Sequence, residues 1–331
     1  MTGMGTTVFV TGATGTLGRP VVERLLATGR RVRAISRSAA NEARLRSLGA
    51  EPIGVDLFDP RALRAALDGC DAALHLATHI APMWVSGWRG AWRENDRVRA
   101  DGMRSLAQAA RDAGVGVIVY PSYAFVYPDS GSEWIDAATR AVAPDLPVIL
   151  RSTLEAEAQV QRFAAAGGRG VVLRMGGFYG PAAPSAREML GFAARYGVLP
   201  LPGRAQEYVP AVWLDDAAEA VIAALDRAPA GVYDVVDDEP LTRAEFADEI
   251  GRAVGRSHVR LIPPLVTRLL APAVSGVFEG SRRVSNRRFK EATGWRPTVP
   301  NARDGLARLA HARVGSGADR PAGVGPGSRA A

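Results

Sequence analysis

Three glycines at three-residue spacing, Gly12, Gly15 and Gly18, follow Val8-Phe9-Val10 directly. They precede apolar residues at Leu17, Val21, Val22, Leu25 and Leu26, a helical spacing. Strand, glycine turn and helix together make a phosphate cradle. Gly12 allows the tight turn, Gly15 lets backbone approach a pyrophosphate, and Gly18 lets helix and strand pack closely. Thr14, Thr16 and Leu17 complete the turn. The helix start offers free N–H groups and the positive dipole end to an anion.

Further residues stand where an open parallel sheet binds ligands, beyond the carboxyl ends of its strands. Ser36 and Arg37 close a second strand, Arg31 to Ser36. A basic residue there suits the 2′-phosphate of NADP, where an acid would suit NAD. Ala77 and Thr78 end a fourth strand, Asp71 to Leu76, and His79 just beyond it can face a substrate. His75, inside the apolar run, reads as a packed strand residue.

These positions need an alternating scaffold to hold them. The pattern predicts strands at Pro52–Val55, Val115–Tyr120, Gly170–Arg174 and Gly231–Val236. Helices are expected over 61–67, 98–112 and 154–163, with a capped helix opening at Thr242-x-x-Glu245. Alternation of this kind gives an α/β fold, a doubly wound parallel sheet of about seven strands. Trp84, Trp88 and Trp92, with Met83 and Val85, recur at helical spacing, as a helix face over the core or as an aromatic wall for a flat substrate. Asp215 and Asp216 at a helix start read as N-caps. Leu261 to Phe278 is apolar but broken by prolines and Arg268, too broken to cross a bilayer.

The Thr-Gly-x-x-Gly-x-x-Gly stretch resembles the cofactor motif of the short-chain dehydrogenase/reductase superfamily. Later landmarks resemble its extended branch, the NAD-dependent epimerase/dehydratase group. They are Ser122 to Tyr127, the helix around Leu154 to Glu157, Met175 to Pro181, and Val212 to Ala218. The resemblance implies a Rossmann-type domain over residues 5–177, rejoined by 209–237. It implies a smaller substrate lobe from 178–208 and 238–312, ending in an arginine-rich helix over 281–295. It puts Asp56 and Leu57 beside an adenine, and Ser122 and Met175 near the nicotinamide. The cofactor implied is NADP, with NAD possible.

The same resemblance exposes a gap. The family's acid/base pair is Tyr-x-x-x-Lys, but no tyrosine here has a lysine four residues later, and Lys290 is the sole lysine. Aligned on the catalytic helix, Ile149 stands at the tyrosine position and Thr153 at the lysine position. Tyr123 takes the place of the catalytic serine, and Arg99 that of the supporting asparagine. The chain is thus an atypical member, with a cofactor cradle but a replaced acid/base set. The candidates for proton donor are Tyr123, His79 and Tyr127, then Tyr179, and Arg99 or Arg151 could favour a phenolate at Tyr123. Three readings follow. One is an oxidoreductase acting on a small hydrophobic carbonyl or hydroxyl compound with a non-standard donor. The others are a redox-neutral isomerase, dehydratase or cyclase, and a non-catalytic NADP-binding sensor. A nucleotide sugar, the commonest substrate of the family, would need a basic cluster, for which Arg187, Arg195 and Arg204 are available.

Composition narrows the rest. The 331 residues are 47% hydrophobic and 23% charged, enough for a large core. One cysteine, Cys70, precludes an internal disulfide or a cysteine metal cluster. The net charge of +7 is spread through helices among acids, with no basic block interleaved with aromatics, so no nucleic-acid partner is expected. The short leader before the first strand leaves no room for a signal peptide, and a cytoplasmic location and possible homodimer are expected. Glycine, serine, proline and alanine dominate 313–331, a tail expected to be disordered.

Overall fold

The computed structural model describes residues 5–81, 85–140, 142 and 147–315. Seven parallel strands form the central sheet: β1 (Thr7–Thr11), β2 (Arg31–Ile35), β3 (Glu51–Ile53), β4 (Ala72–His75), β5 (Val117–Tyr123), β6 (Arg169–Met175) and β7 (Gly231–Val235). Their order is β7-β6-β5-β4-β1-β2-β3. The chain winds outward from β1 in both directions, so the topological switch lies between β1 and β4, where open sheets bind ligands. This is the expected Rossmann-type doubly wound fold.

Side chains alternate across the sheet. Val8, Val10, Leu74 and Leu173 enter one apolar cluster, with α1 (Gly18–Ala27), α2 (Ala39–Leu48) and α7 (Leu214–Arg227). Phe9, Ala73, Ile118 and Val172 enter the other, with α3 (Pro60–Ala66), α4 (Arg93–Asp112) and α5 (Val148–Ala165). Near-continuous apolar strands are what a sheet covered on both faces requires. The remaining helices are α6 (Pro184–Tyr196), α8 (Arg243–Ala253), α9 (Pro264–Leu270), α10 (Pro272–Phe278), α11 (Arg287–Thr293) and α12 (Ala302–Gly315). Leu190, Phe246, Ile250 and Leu306 join the same apolar cluster as β1. The capping box at Thr242 and Glu245 is formed in both directions.

The structure corrects several sequence expectations. Among the described residues the tryptophan stretch does not form one helix face on the core: Arg89–Trp92 is a 3₁₀ turn, Trp88 is 71% exposed, and Trp92 is half-buried against the cluster of Phe125 and Ile149. Gly87 packs closely here, since a Cβ on it would lie 2.9 Å from the Ala271 Cα. Met83 and Trp84 lie outside the described residues. Asp215 and Asp216 do not cap α7. Asp215 pairs with Arg24 across the surface. Asp216 is buried and accepts from Thr298 N, Thr298 Oγ1 and Val299 N at 2.9, 2.7 and 3.0 Å. The stretch 281–295 is a two-residue strand, Arg283–Val284, followed by the short α11. Helix α12 continues to Gly315, and the rest of the tail lies outside the described residues. No helix among the described residues is long and apolar enough to cross a membrane.

Candidate active site

A cavity of about 910 Å³ opens over the switch point. One end is walled by Gly12, Thr14, Gly15, Thr16 and Leu17, then by Ser36, Arg37 and Asn41, and by Asp56 and Leu57. The middle is walled by His75, Ala77, Thr78, Arg99, Ser122 and Tyr123. The far end is closed by Ile80, Ala81, Phe178, Pro184, Ser185 and Glu188.

The glycines fit a pyrophosphate cradle. A Cβ on Gly18 would lie 1.9 Å from the Gly12 carbonyl oxygen, and one on Gly12 would lie 2.5 Å from Ala77 N. These two glycines are therefore fixed by packing, and Gly18 sits behind the wall rather than on it. At Gly15 a Cβ meets only the Gly12 oxygen, at 3.1 Å, and would otherwise occupy the cavity. No side chain caps the start of α1 and no acid stands in its first turn, which leaves that helix end to an anion. Arg37 is exposed at the rim, beside Ser36, whose hydroxyl donates to Ser38 O at 3.1 Å. Asp56 accepts from Phe58 N at 3.0 Å, which shapes that turn. Met175 is fully buried opposite Tyr123 in the β5–β6 register and does not reach the wall.

The four candidate proton donors separate clearly. Tyr123 is half-buried on the wall at the end of β5. Tyr127 is sealed, its phenol donating to Asp234 Oδ1 at 2.8 Å, and burial with that acid beside it pushes its pKa up. Tyr179 is sealed the same way against Asp237, at 2.8 Å. His79 is exposed and off the wall, with its backbone N–H bonded to Asn95. Tyr127, Tyr179 and His79 are therefore not on the cavity, the first two because they are buried and hydrogen-bonded elsewhere, the third because it is exposed and outside the lining.

His75, by contrast, is on the wall although fully buried. Its Nε2 lies 3.1 Å from Val98 O, a pure acceptor, so Nε2 carries the proton. Nδ1 then accepts from the Thr11 hydroxyl at 2.8 Å. Burial, with Arg99 nearby, pushes its pKa down to about 4, so it is neutral and already bonded on both nitrogens.

Arg99 is the residue that the fold uses least conventionally. It is 1% exposed, yet its guanidinium lies on the cavity wall. Nη1 donates to the Tyr120 phenol at 2.7 Å, and the guanidinium carbon sits 4.4 Å from the Tyr123 ring centre. Tyr120 stacks on His75 at 5.9 Å. Sequence reasoning missed Tyr120, although a tyrosine in the apolar run Val-Ile-Val-Tyr was a visible irregularity. Arg151 is exposed and takes no part. Ile149 packs with Phe125, Leu150 and Val277, and Thr153 is fully buried with no hydrogen-bond partner among the described residues. Both positions that would hold the family pair are thus built as core. Behind the site, Glu157 accepts from Arg174 at 2.8 and 3.1 Å and from the Ser122 hydroxyl.

Comparison with known proteins agrees with this geometry. Residues 8–236 match the model of the NAD dependent epimerase/dehydratase family. A 3-diazoavenalumate denitrifying reductase from a Streptomyces species is 33% identical over 91% of this chain and 99% of its own length. A 2-alkyl-3-oxoalkanoate reductase from Shewanella oneidensis is 29% identical over 84% of this chain and 73% of its own. A human epimerase family protein solved with NADPH superposes with a TM-score of 0.74 at 25% identity, covering 92% of this chain and 99% of that one. The chain belongs to the NAD-dependent epimerase/dehydratase family, as an NAD(P)-dependent oxidoreductase.

Proposed function

We propose that the protein is an NADP-dependent reductase of a small, largely apolar carbonyl compound, with Tyr123 as its proton donor. The observation that carries this reading is the pairing of Tyr123 with Arg99 on the cavity wall, where the other candidate phenols are sealed. The cradle of Gly12, Thr14, Gly15, Thr16, Leu17 and Gly18 would hold the pyrophosphate, and Ser36 and Arg37 the 2′-phosphate. Asp56, Leu57, Ala77, Thr78 and Ser122 would line the rest of the nucleotide's path. When bound, the cofactor would supply a hydride for the carbonyl carbon. The oxygen then gains negative charge and takes the Tyr123 proton. Arg99 stabilises that charge on either oxygen, a fixed cation in a site shielded from water.

The lining supports a largely apolar substrate: Ile80, Ala81, Val98, Pro121, Phe178 and Pro184 face the cavity, with Ser185 and Glu188 as polar groups beside Pro184. Residues 178–208 and 238–312 would form the substrate-binding lobe, with α6 as its contact with the cavity. Arg187, Arg195 and Arg204 do not converge there. Arg204 is 72% exposed and paired with Glu207, and Arg195 packs over Tyr196. A diphosphate group therefore lacks a receiving cluster. The names of the two relatives point to different acceptors, a diazo compound and an oxo compound. A buried cation at the reacting end disfavours a cationic acceptor and favours one that becomes an oxyanion.

The test is NADPH oxidation against a panel of apolar ketones and aldehydes, with nucleotide sugars as the contrasting set. Consumption of NADPH by the first set supports the proposal. Turnover of the second set, or nucleotide binding with no hydride transfer to any carbonyl, overturns it and returns attention to redox-neutral chemistry.

A further inference from the structure

Arg99 is a buried guanidinium without an acid. Its partners are two phenols, and no carboxylate among the described residues lies within ion-pair distance of it. Nε is buried with no hydrogen-bond partner. Glu157, whose charge is felt at Tyr120, is already held by Arg174 and Ser122. A guanidinium cannot shed its proton to escape the cost of burial. An uncompensated buried charge is among the costliest features a fold can carry. Other buried arginines are compensated: Arg174 and Arg243 each hold a carboxylate, and Arg282 donates to the Tyr127, Glu279 and Gly280 carbonyl oxygens, whereas Arg99 has only phenols.

The missing countercharge can come from the cavity, because Arg99 is among the residues that line it. The glycine turn follows β1 and Arg37 follows β2, whereas Tyr123, against which Arg99 packs, ends β5, two strands along the sheet from β1. We infer that Arg99 receives an anionic group of the substrate, a carboxylate on an apolar body: the compound reduced is an oxo acid rather than a neutral ketone. This rests on the reading of the cavity as a reductase site. The apolar walls take the hydrocarbon part, and the guanidinium takes the carboxylate at a fixed distance from Tyr123.

The test uses the full chain loaded with NADP⁺, so that no hydride can be transferred. Binding is measured by calorimetry for matched pairs of straight-chain and aryl carboxylates and their methyl esters. A charge-assisted hydrogen bond in a dry site predicts a preference for the acid of about tenfold or more. Because guanidinium keeps its charge, the preference should be flat between pH about 6 and about 9. R99M should abolish it, R99K should keep part of it, and NADP⁺ affinity in both should match the wild type. If no carboxylate binds better than its ester in the wild type, the inference fails, whatever the variants do. It also fails if the preference survives in folded R99M. Acid preference without any carbonyl reduction would leave Arg99's role standing and sink the reductase proposal instead.

Discussion

The Arg99 guanidinium carbon lies 4.4 Å from the centre of the Tyr123 ring, and its Nη1 holds the Tyr120 phenol at 2.7 Å. A single cation thus touches two tyrosines that leave β5 three residues apart. If Tyr123 gives up the proton, Tyr123→Phe keeps ring, cation contact and packing but removes the donor. The expected result is a fall in kcat of about 10²–10⁴-fold. NADP affinity should be nearly unchanged, since the cradle is not touched. A loss below about threefold would remove Tyr123 from the role, general acid catalysis being worth far more than that.

Arg37 is exposed at the cavity rim and is the basic residue beside Ser36. Arg37→Asp replaces a phosphate partner with a group that suits a ribose hydroxyl. Nucleotide titration should then show NADPH weakened by about tenfold or more, as loss of a charge-assisted bond implies, with NADH unchanged or improved. An unaltered preference would dismiss the arginine.

The glycine turn predicts two different defects. Gly18→Ala drives a methyl onto the Gly12 oxygen at 1.9 Å, so the cost falls on folding, at about 1–3 kcal/mol or more. Gly15→Ala has more room, with the Gly12 oxygen at 3.1 Å, and points into the cavity. Its melting temperature should stay closer to the wild type while NADP binding weakens. Equal loss of stability in the two variants would contradict the distinction.

Two buried groups give opposite pH slopes. Asp234 is raised from 3.8 to about 7, burial outweighing the bonds from Tyr127 and Ala137 N. Its folded form binds the proton more tightly, so its contribution is full below pH about 4 and is lost as pH rises towards about 7. His75 is lowered from 6.5 to about 4, so its contribution is present above pH 6.5 and is lost as pH falls. Urea unfolding of wild type and Asp234→Asn across this range should show the wild type losing ground to the variant as pH rises. A constant difference between them would show that Asp234 does not titrate there.

The sequence made the cradle legible because every part of it is local. Glycine spacing, strand and helix lie within Thr7–Ala27, and the apolar period reports both faces. The end of β5 was harder to see. Pro121 suggests that the strand has stopped, but β4 pairs no farther than Val119, so beyond it β5 has a neighbour on one side and tolerates a residue without an N–H. That extension is what carries Tyr123 to the cavity. The Arg99 cluster joins β4, α4 and β5, and no periodicity reports a contact across three elements. The tryptophan spacing misled for the converse reason: it is a local period that fits a helix, while Arg89–Trp92 is a 3₁₀ turn and Trp88 is exposed.

Asp216 sets a limit on how the protein can be divided. Asp216 is 2% exposed, its carboxylate is satisfied by Thr298 and Val299, and the Trp295 indole Nε1–H donates to its backbone oxygen at 3.1 Å. The family match ends at residue 236, so a fragment cut there would keep the acid and lose every one of these donors. It would also uncover the face of α7 that Trp295, Val299 and Leu306 cover. A fragment ending at residue 236 should therefore fail as an autonomous unit, expressing as a sticky, poorly melting species even though all seven strands of the central sheet are present in it.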